Sequence, residues 1–587
     1  MSSLAGCILL FSSLVVGQNV GLPLGVPPGL NDAALQRIAP KKCIVYLGWS
    51  GTKSPQSSSA NPSERLLAEP EVQKLIQRVN QFTTGQFQAI AGGLGPDGKH
   101  LARVIRTWMG HVLYRPGALY IDQVIAGQPP EAHGVLMVNM GKESAKLKTE
   151  LAKVVQLPSV AGSIRKVTVV GNQLYRLNTP GNVPPDFTFG FVGSYFVFGI
   201  QPGNAKSAIT RMMDRTATAP KWLQQLHKQL DVPRRSVVLH IDLAHIIKAM
   251  STGATRQVDI IGFGNLGPLS VVSGFDKDGI ITRALLGING KAKGILQFLE
   301  AKPLTRNDLK NIPADSTMAI VARFDFGKYF TNLIATAAEI VPHGEEQLKA
   351  LFAPLEAALG IDFRRELFAN MGDVWAIYHS KSAGGWAGAT VLIPVKNRDK
   401  ITALEQKLLE RLRSASERED SFKLTTTTHK EQKIHHMSIR SLPIAPCWTL
   451  LKDRIAIGLF PQNLRDVIDR KATAKTLADV IPASTLKSQP LLIARHNTKE
   501  LFEVAYPLIQ LGIVVLFGNS SDPFLLPAGT SISRHLTKGQ CVLSRTKDGL
   551  ELTSRGVLPI NFTSLIPLSL GPFLARDSVV EFRLDAK

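Results

Sequence analysis

Cysteine is nearly missing from this chain. Cys7, Cys43, Cys447 and Cys541 are the only four among 587 residues, too few and too scattered for a disulfide framework, with no CxxC pair for metal or redox chemistry. Charged residues, at 19%, fall below the roughly 25% usual in soluble chains. Long apolar runs are missing too. The longest outside the N-terminus, AYPLIQLGIVVLF (505–517), stops well short of the ~20 residues that cross a bilayer and holds Pro507 and Gln510, so it reads as a buried helix. GxxxxGK[ST], GxSxG and HExxH do not occur, which removes support for a phosphate loop, a nucleophile elbow or the commonest zinc-protease helix.

What is present is apolar material for more than one core. With 44% hydrophobic residues and a mean hydropathy near zero, a chain of this length calls for two to four domains. The net charge of +22 raises the question of nucleic acid. The excess is spread over both halves, however, as single residues or doublets such as Arg165-Lys166 and Arg234-Arg235, with no aromatics interleaved for base stacking. Nucleic acid is therefore an unlikely partner. Weak attraction to anionic envelope polymers or lipid headgroups, or a merely solvated basic surface, remains.

Ile8 to Gly17 has the length of a signal-peptide apolar core, and Val15 and Gly17 are small enough for the cleavage positions, giving a signal peptide at 1–17 and a mature start at Gln18. Leu4-Ala5-Gly6-Cys7 has the letters of a lipoprotein box, but it precedes the apolar run where such a box should follow. Cleavage leaves Cys43, Cys447 and Cys541, each in or beside a strand-like run; these read as small buried hydrophobes, with a Cys447–Cys541 disulfide as the alternative.

After a Pro-rich linker (18–37), one series of elements occurs twice. IAPKKCIVYLGW answers to NIPADSTMAIVARFD, each leading into helical sequence. GALYIDQVIAG (117–127) answers to GDVWAIYHS (372–380), HGVLMVNMG (133–141) to GATVLIPVK (388–396), and the helix at 143–155 to that at 400–412. SYFVFGIQPGNAKSAI then aligns with DRIAIGLFPQNLRDVI, sharing Gly199 with Gly458, Pro202 with Pro461 and Asn204 with Asn463. SVVLHIDLAHIIKAM parallels PLLIARHNTKELFEV, and Lys-Asp-Gly recurs at 277–279 and 547–549, a hairpin signal because Gly tolerates positive φ. Order and spacing together predict two tandem homologous α+β units, 38–300 and 305–587. Each should be an antiparallel-rich sheet with helices packed on one face, because paired strands are joined by loops too short for a parallel crossover.

PADSTMAIVARFD before a helix, GDVWAIYHS after it and RIAIGLFPQNLRDVIDR later, with Pro313, Asp315, Gly372, Asp373 and Gly458 at the turns, resemble a family of exported bacterial proteins classed as a domain of unknown function. The resemblance spans roughly 305–505 and, more faintly, 38–250, where Lys42 replaces the expected Asp. It implies export and a non-enzymatic role, and it carries over no catalytic residue.

Three polar groupings draw the eye. Gly262 to Gly267 has the letters GxGxxG after strand-like Val258–Ile261, but Pro268 to Val272 reads as another strand where a dinucleotide site needs a helix, so it is a turn between strands. His429, His435 and His436, with Glu431 nearby, are the densest histidine group; neighbours on a strand point apart, so a solvated hairpin is favoured over a zinc site. Asp242 with His240 and His245, and His496 with Asn497, fall at similar places in the two halves, where a cap for the following helix explains Asp242 and Asn497. No catalytic, cofactor-binding or metal-binding residue is assigned, and no cofactor is called for. The leading reading is an exported envelope or periplasmic protein with a binding or scaffolding role toward an unknown protein or anionic envelope partner. A hydrolase with a dispersed site and a basic protein binding anionic envelope polymers are the alternatives.

Overall fold

The computed structural model describes residues 26–78, 81, 108, 110–112, 114–125, 131–157, 161–177, 186–201, 203–250, 255–380, 388–418, 421–440, 443–471, 473–517 and 526–558. The expected signal peptide, Cys7 and Pro202 lie outside them. Ten described strands come from each half. The first half has β1 (Val45–Trp49), β2 (Gly117–Ile125), β3 (Glu131–Asn139), β4 (Ile164–Val169), β5 (Asn172–Leu177), β6 (Phe187–Val192), β7 (Tyr195–Ile200), β8 (Arg234–Ile241), β9 (Leu266–Phe275) and β10 (Ile280–Ile288). The second has β11 (Ser316–Arg323), β12 (Val374–Ser380), β13 (Thr390–Pro394), β14 (Phe422–His429), β15 (Gln432–Ile439), β16 (Cys447–Leu450), β17 (Arg454–Gly458), β18 (Pro490–Asn497), β19 (Lys538–Thr546) and β20 (Gly549–Gly556).

Neighbouring strands are antiparallel throughout, and the fold is α+β. The first half runs β4-β5-β6-β7-β3-β2-β1-β8-β9-β10. The second runs β14-β15-β16-β17-β13-β12-β11-β18-β19-β20, which is the same order. Register repeats as well. The rung Tyr46, Tyr120, Val135, Gly199 is matched by Ala319, Tyr378, Thr390, Gly458. On the other side His240 and Ser270 are matched by Arg495 and Gln540. Tyr120 therefore corresponds to Tyr378, three residues away from the match drawn through Gly117 and Gly372.

Shared glycines sit where backbone or helix comes close. A Cβ on Gly199 would lie 2.9 Å from Ala205 Cβ, and one on Gly458 would lie 3.2 Å from Asn463 Cβ, so each lets the following helix settle on the sheet. The Lys-Asp-Gly hairpins do more than turn. β10 and β20 pair antiparallel, Ile280 with Gly556 through Gly287 with Gly549, and join the halves into one sheet. Gly279 (φ 134°) and Gly549 (φ 147°) lie against this seam, where a Cβ would stand 2.5 Å from Gly556 O and 2.0 Å from Leu286 O.

On one face, the Asn204–Met213 and Lys221–Gln229 helices bury Ile209, Leu223 and Leu226 on Tyr120, Met137 and Val197. Pro461–Asp469 and Leu477–Val480 do the same with Leu464 and Leu477 on Tyr378, Leu392 and Ala456. Other helices cover the second face as well: Ser144–Val154 through Leu147 and Leu151, Arg398–Arg418 through Ile401 and Leu404, and Thr498–Phe517 through Leu501 on Met318 and Ile320. The halves also interleave. Leu66 of the Pro62–Ala68 helix packs with Leu536 and Val557 of the second half, and Ser63 Oγ donates to Val557 O at 2.7 Å. Reciprocally, Phe326–Ile340 packs on Gly294–Glu300, with Asn332 Nδ2 donating to Gln297 Oε1 at 2.9 Å.

Two expectations change, for the 505–517 run and for the Gly262 turn, while the reading of the cysteines as small buried hydrophobes holds. The 505–517 run is helical, within Thr498–Phe517, but Val504, Leu508, Ile509 and Leu511 are exposed. No helix among the described residues is long and apolar enough to cross a membrane. Cys447 and Cys541 are buried thiols with no disulfide, because they belong to cores on opposite faces of the sheet. Val258–Ile261 is helical, and Gly262 turns the chain from the Thr255–Ile261 helix into β9 through a single 3-10 turn.

Candidate functional site

A cleft of about 1090 Å³ opens on the second half. Its floor is Tyr378 and Ser380 of β12 and Leu392 of β13, all buried. One wall is the end of the Pro461–Asp469 helix, with Asp466, Val467 and Arg470; the facing wall is Lys310, Asn311 and Pro313 to Asp315, and Leu451–Arg454, Lys471 and Thr473–Thr476 form the rim. Pro461 opens the helix at its first turn, where its missing N–H is no loss. Asn463 Oδ1 then accepts from Phe460 N at 2.9 Å. Together these aim the far end of the helix, and hence Arg470, over the strand carrying Tyr378.

Arg470 is the unusual group. Its Nη2 donates to Lys475 O at 2.9 Å, while its Nη1 is buried with no hydrogen-bond partner. Desolvation lowers its pKa, opposed by Tyr378 and Asp315. Tyr378, 4% exposed, is pushed up to about 12 by burial, against the hydrogen bond to Thr390 and the Arg470 charge. Asp466 is raised, first by desolvation and then by Asp469. The remaining acids are occupied. Asp453 grips Arg454 at 2.8 and 2.6 Å, which lowers its pKa. Asp469 accepts from Lys430 at 2.7 Å and from His429 at 2.8 Å, and is lowered by both.

The corresponding place in the first half is closed. The Ala33–Arg37 helix lies on Asn204–Met213, with Leu35 and Ile38 fully buried. Asp32 accepts from Asn139 Nδ2 at 2.7 Å and Tyr195 Oη at 2.9 Å. Arg211, which stands where Arg470 does, donates from Nε to Ile38 O and from Nη2 to Tyr120 Oη, both at 2.8 Å. In the second half the short turn Asn307–Leu309 packs on Leu477–Val480 instead, leaving the groove beside Pro461–Asp469 open.

The histidines singled out in the sequence do not converge. His429 serves the cleft only through Asp469. The solvated-hairpin reading fails for His435, which is buried against Trp448 and Glu405; Nδ1 meets Thr426 Oγ1 at 2.9 Å, and burial takes its pKa down to about 4. Neighbouring His436 points away, with Nδ1 lacking a partner. Among the described residues no group of three or more His, Cys, Asp or Glu could hold a metal. Asp242 caps its helix through His245 N at 3.1 Å, while Asn497 ends β18. His240 stacks on Trp222 at 4.7 Å, and His245 is exposed. His496 sits one rung from His240's place and so faces the opposite way, 1% exposed, with both ring nitrogens unpartnered. Sequence reasoning missed Arg470 and Tyr378, although Arg211 and Arg470 continue the aligned helices at their common offset.

No family model and no curated protein matches the chain. Two crystal forms of the treponemal protein TP0453 are similar at low level: form III at 10% identity and TM-score 0.23, covering 46% of this chain and 88% of that one, and form I at 13% and 0.22, covering 47% and 89%. A likeness at these scores carries no argument about this chain.

Proposed function

We propose that the protein is an exported, non-enzymatic binding protein of the cell envelope or periplasm, built from two diverged copies of one α+β unit, with its ligand site in the second-half cleft. The carrying observation is the contrast at one place in the fold, sealed by Leu35 and Ile38 in the first half and open over Tyr378 and Leu392 in the second. A large concave site with an apolar patch formed by Leu392, Leu451 and Val467 and with charged walls suits ligand capture. The apolar segment at 8–17 and the resemblance to an exported family support the location, and the repeated strand order supports the duplication. Native mass spectrometry of protein isolated from fractionated cells tests both claims. Mature protein starting at Gln18 in the envelope fraction, with a bound mass that Ala314→Trp in the cleft wall displaces, is expected. A cytoplasmic chain with Met1 intact contradicts export, and identical spectra for the two proteins contradict the site.

A further inference from the structure

We infer that the cleft ligand is an anion carried on an apolar body, such as an alkyl phosphate or a lipid headgroup, anchored by the Arg470 guanidinium, which lines the cleft and whose buried Nη1 lacks an acceptor. The inference rests on the cleft being a binding site and names what fills it. A buried donor without an acceptor carries a desolvation penalty that a bound acceptor removes, and Nη1 of Arg470 is such a donor. The first half displays what satisfies an arginine at this place, since Arg211 spends its donors on the Ile38 carbonyl and the Tyr120 hydroxyl. In the second half the Lys475 carbonyl takes Nη2, and the chain supplies no acceptor for Nη1. Guanidinium binds carboxylate and phosphate through paired, charge-assisted hydrogen bonds, so an anionic oxygen is the natural replacement.

The charge around Arg470 agrees. Arg454 is neutralised by Asp453 and Asp469 by His429 and Lys430. Lys310, Lys452, Lys471 and Lys475 line the cleft and make no ion pair among the described residues, against Asp315 and Asp466 on the acidic side. The surplus is positive, which draws an anion toward the floor. Leu392, Leu451 and Val467 supply an apolar surface beside it, where an alkyl chain is taken out of water. A cation would meet this surplus directly.

Calorimetry on the full chain with octyl phosphate, inorganic phosphate and octyl glucoside tests the inference. Octyl phosphate should bind most tightly, more weakly at high salt, and Arg470→Met should weaken it at least tenfold. Arg470→Lys, which keeps charge without the planar fork, should fall between, and guards against a misfolded Met variant. Lys166→Met, on the remote strand β4, should change nothing. Pelleting with phosphatidylglycerol vesicles that Arg470→Met abolishes marks a lipid headgroup as the source, whereas octyl phosphate binding without pelleting marks a free amphiphile. Octyl glucoside binding as well as octyl phosphate, with Arg470→Met leaving both unchanged, overturns the anion while keeping the site. Binding of none of the three probes overturns the site itself.

Discussion

At the same point in the same strand order, the first half closes a groove with its own chain and the second leaves it open. Arg211 and Arg470 occupy that point, with Tyr120 and Tyr378 beneath them on equivalent rungs. What differs is the segment ahead of the first strand. Before β1 it lies on the Asn204–Met213 helix, and Leu35 and Ile38 disappear into the core. Before β11 the same stretch presents Lys310 and Asn311 to the opening, while Leu309 and Ile312 turn toward Leu477. A few residues that choose one helix over another decide whether a shared scaffold has a pocket.

The largest expected break in the contrast comes from the plug. Ile38 is 0% exposed, so Ile38→Ala should lower unfolding free energy by about 2–5 kcal/mol through lost burial and a residual cavity. Asn311→Ala, at the corresponding exposed place, should change it by less than about 0.5 kcal/mol. Denaturant titration of the two variants checks this.

Acid should strain the second half through a difference on the opposite face. There the rung His379–Met318–His496 stands where the first half has Ile121–Val45–Ile241. Burial holds His496 at about 4, down from 6.5, so the unfolded chain takes up a proton at higher pH than the folded one. The stability due to neutral His496 is full above pH 6.5 and is lost as pH falls toward 4, by about 3 kcal/mol. His496→Ile, restoring the first half's residue type, should remove about 3 kcal/mol of the pH dependence of unfolding over that window, leaving the share of His435 and His227. An unaltered pH curve would count against a buried neutral imidazole.

The seam should respond alike from both sides. Gly279→Ala and Gly549→Ala each place a methyl against the other half's backbone at positive φ, and each should lower stability by about 2 kcal/mol. Gly171→Ala, at φ 73° with open space around it, should lower it by about 1 kcal/mol. Markedly unequal effects at 279 and 549 would show that the joint is less symmetric than its register.

Much of the scaffold was legible in the sequence because local chemistry marks it. Gly199 and Gly458 recur where a helix must cross closely, and Lys-Asp-Gly recurs at the last hairpin of each half. The α+β class and the antiparallel pairing followed from short connections. The seam was not legible: Gly279 and Gly549 look like ordinary turn residues until β10 and β20 are brought edge to edge. Nor was the cleft, since Arg470 matters only because a segment about 160 residues earlier turns aside, and long-range choices of that kind leave no periodicity to read. The histidines misled for the same reason. Alternation places His435 and His436 on opposite faces, but only the Arg398–Arg418 helix overhead decides that His435 is buried.

The central claim, that one arginine site is satisfied by the chain and its counterpart awaits a ligand, is tested most directly by the unfolding free energies of Arg211→Met and Arg470→Met. Arg211 leaves the Ile38 carbonyl and the Tyr120 hydroxyl without their donor, so about 2 kcal/mol should be lost. Arg470 gives up a single bond to Lys475 O together with a buried orphan nitrogen, so the loss should stay below about 1 kcal/mol. Equal losses, or a larger one at Arg470, would contradict the account.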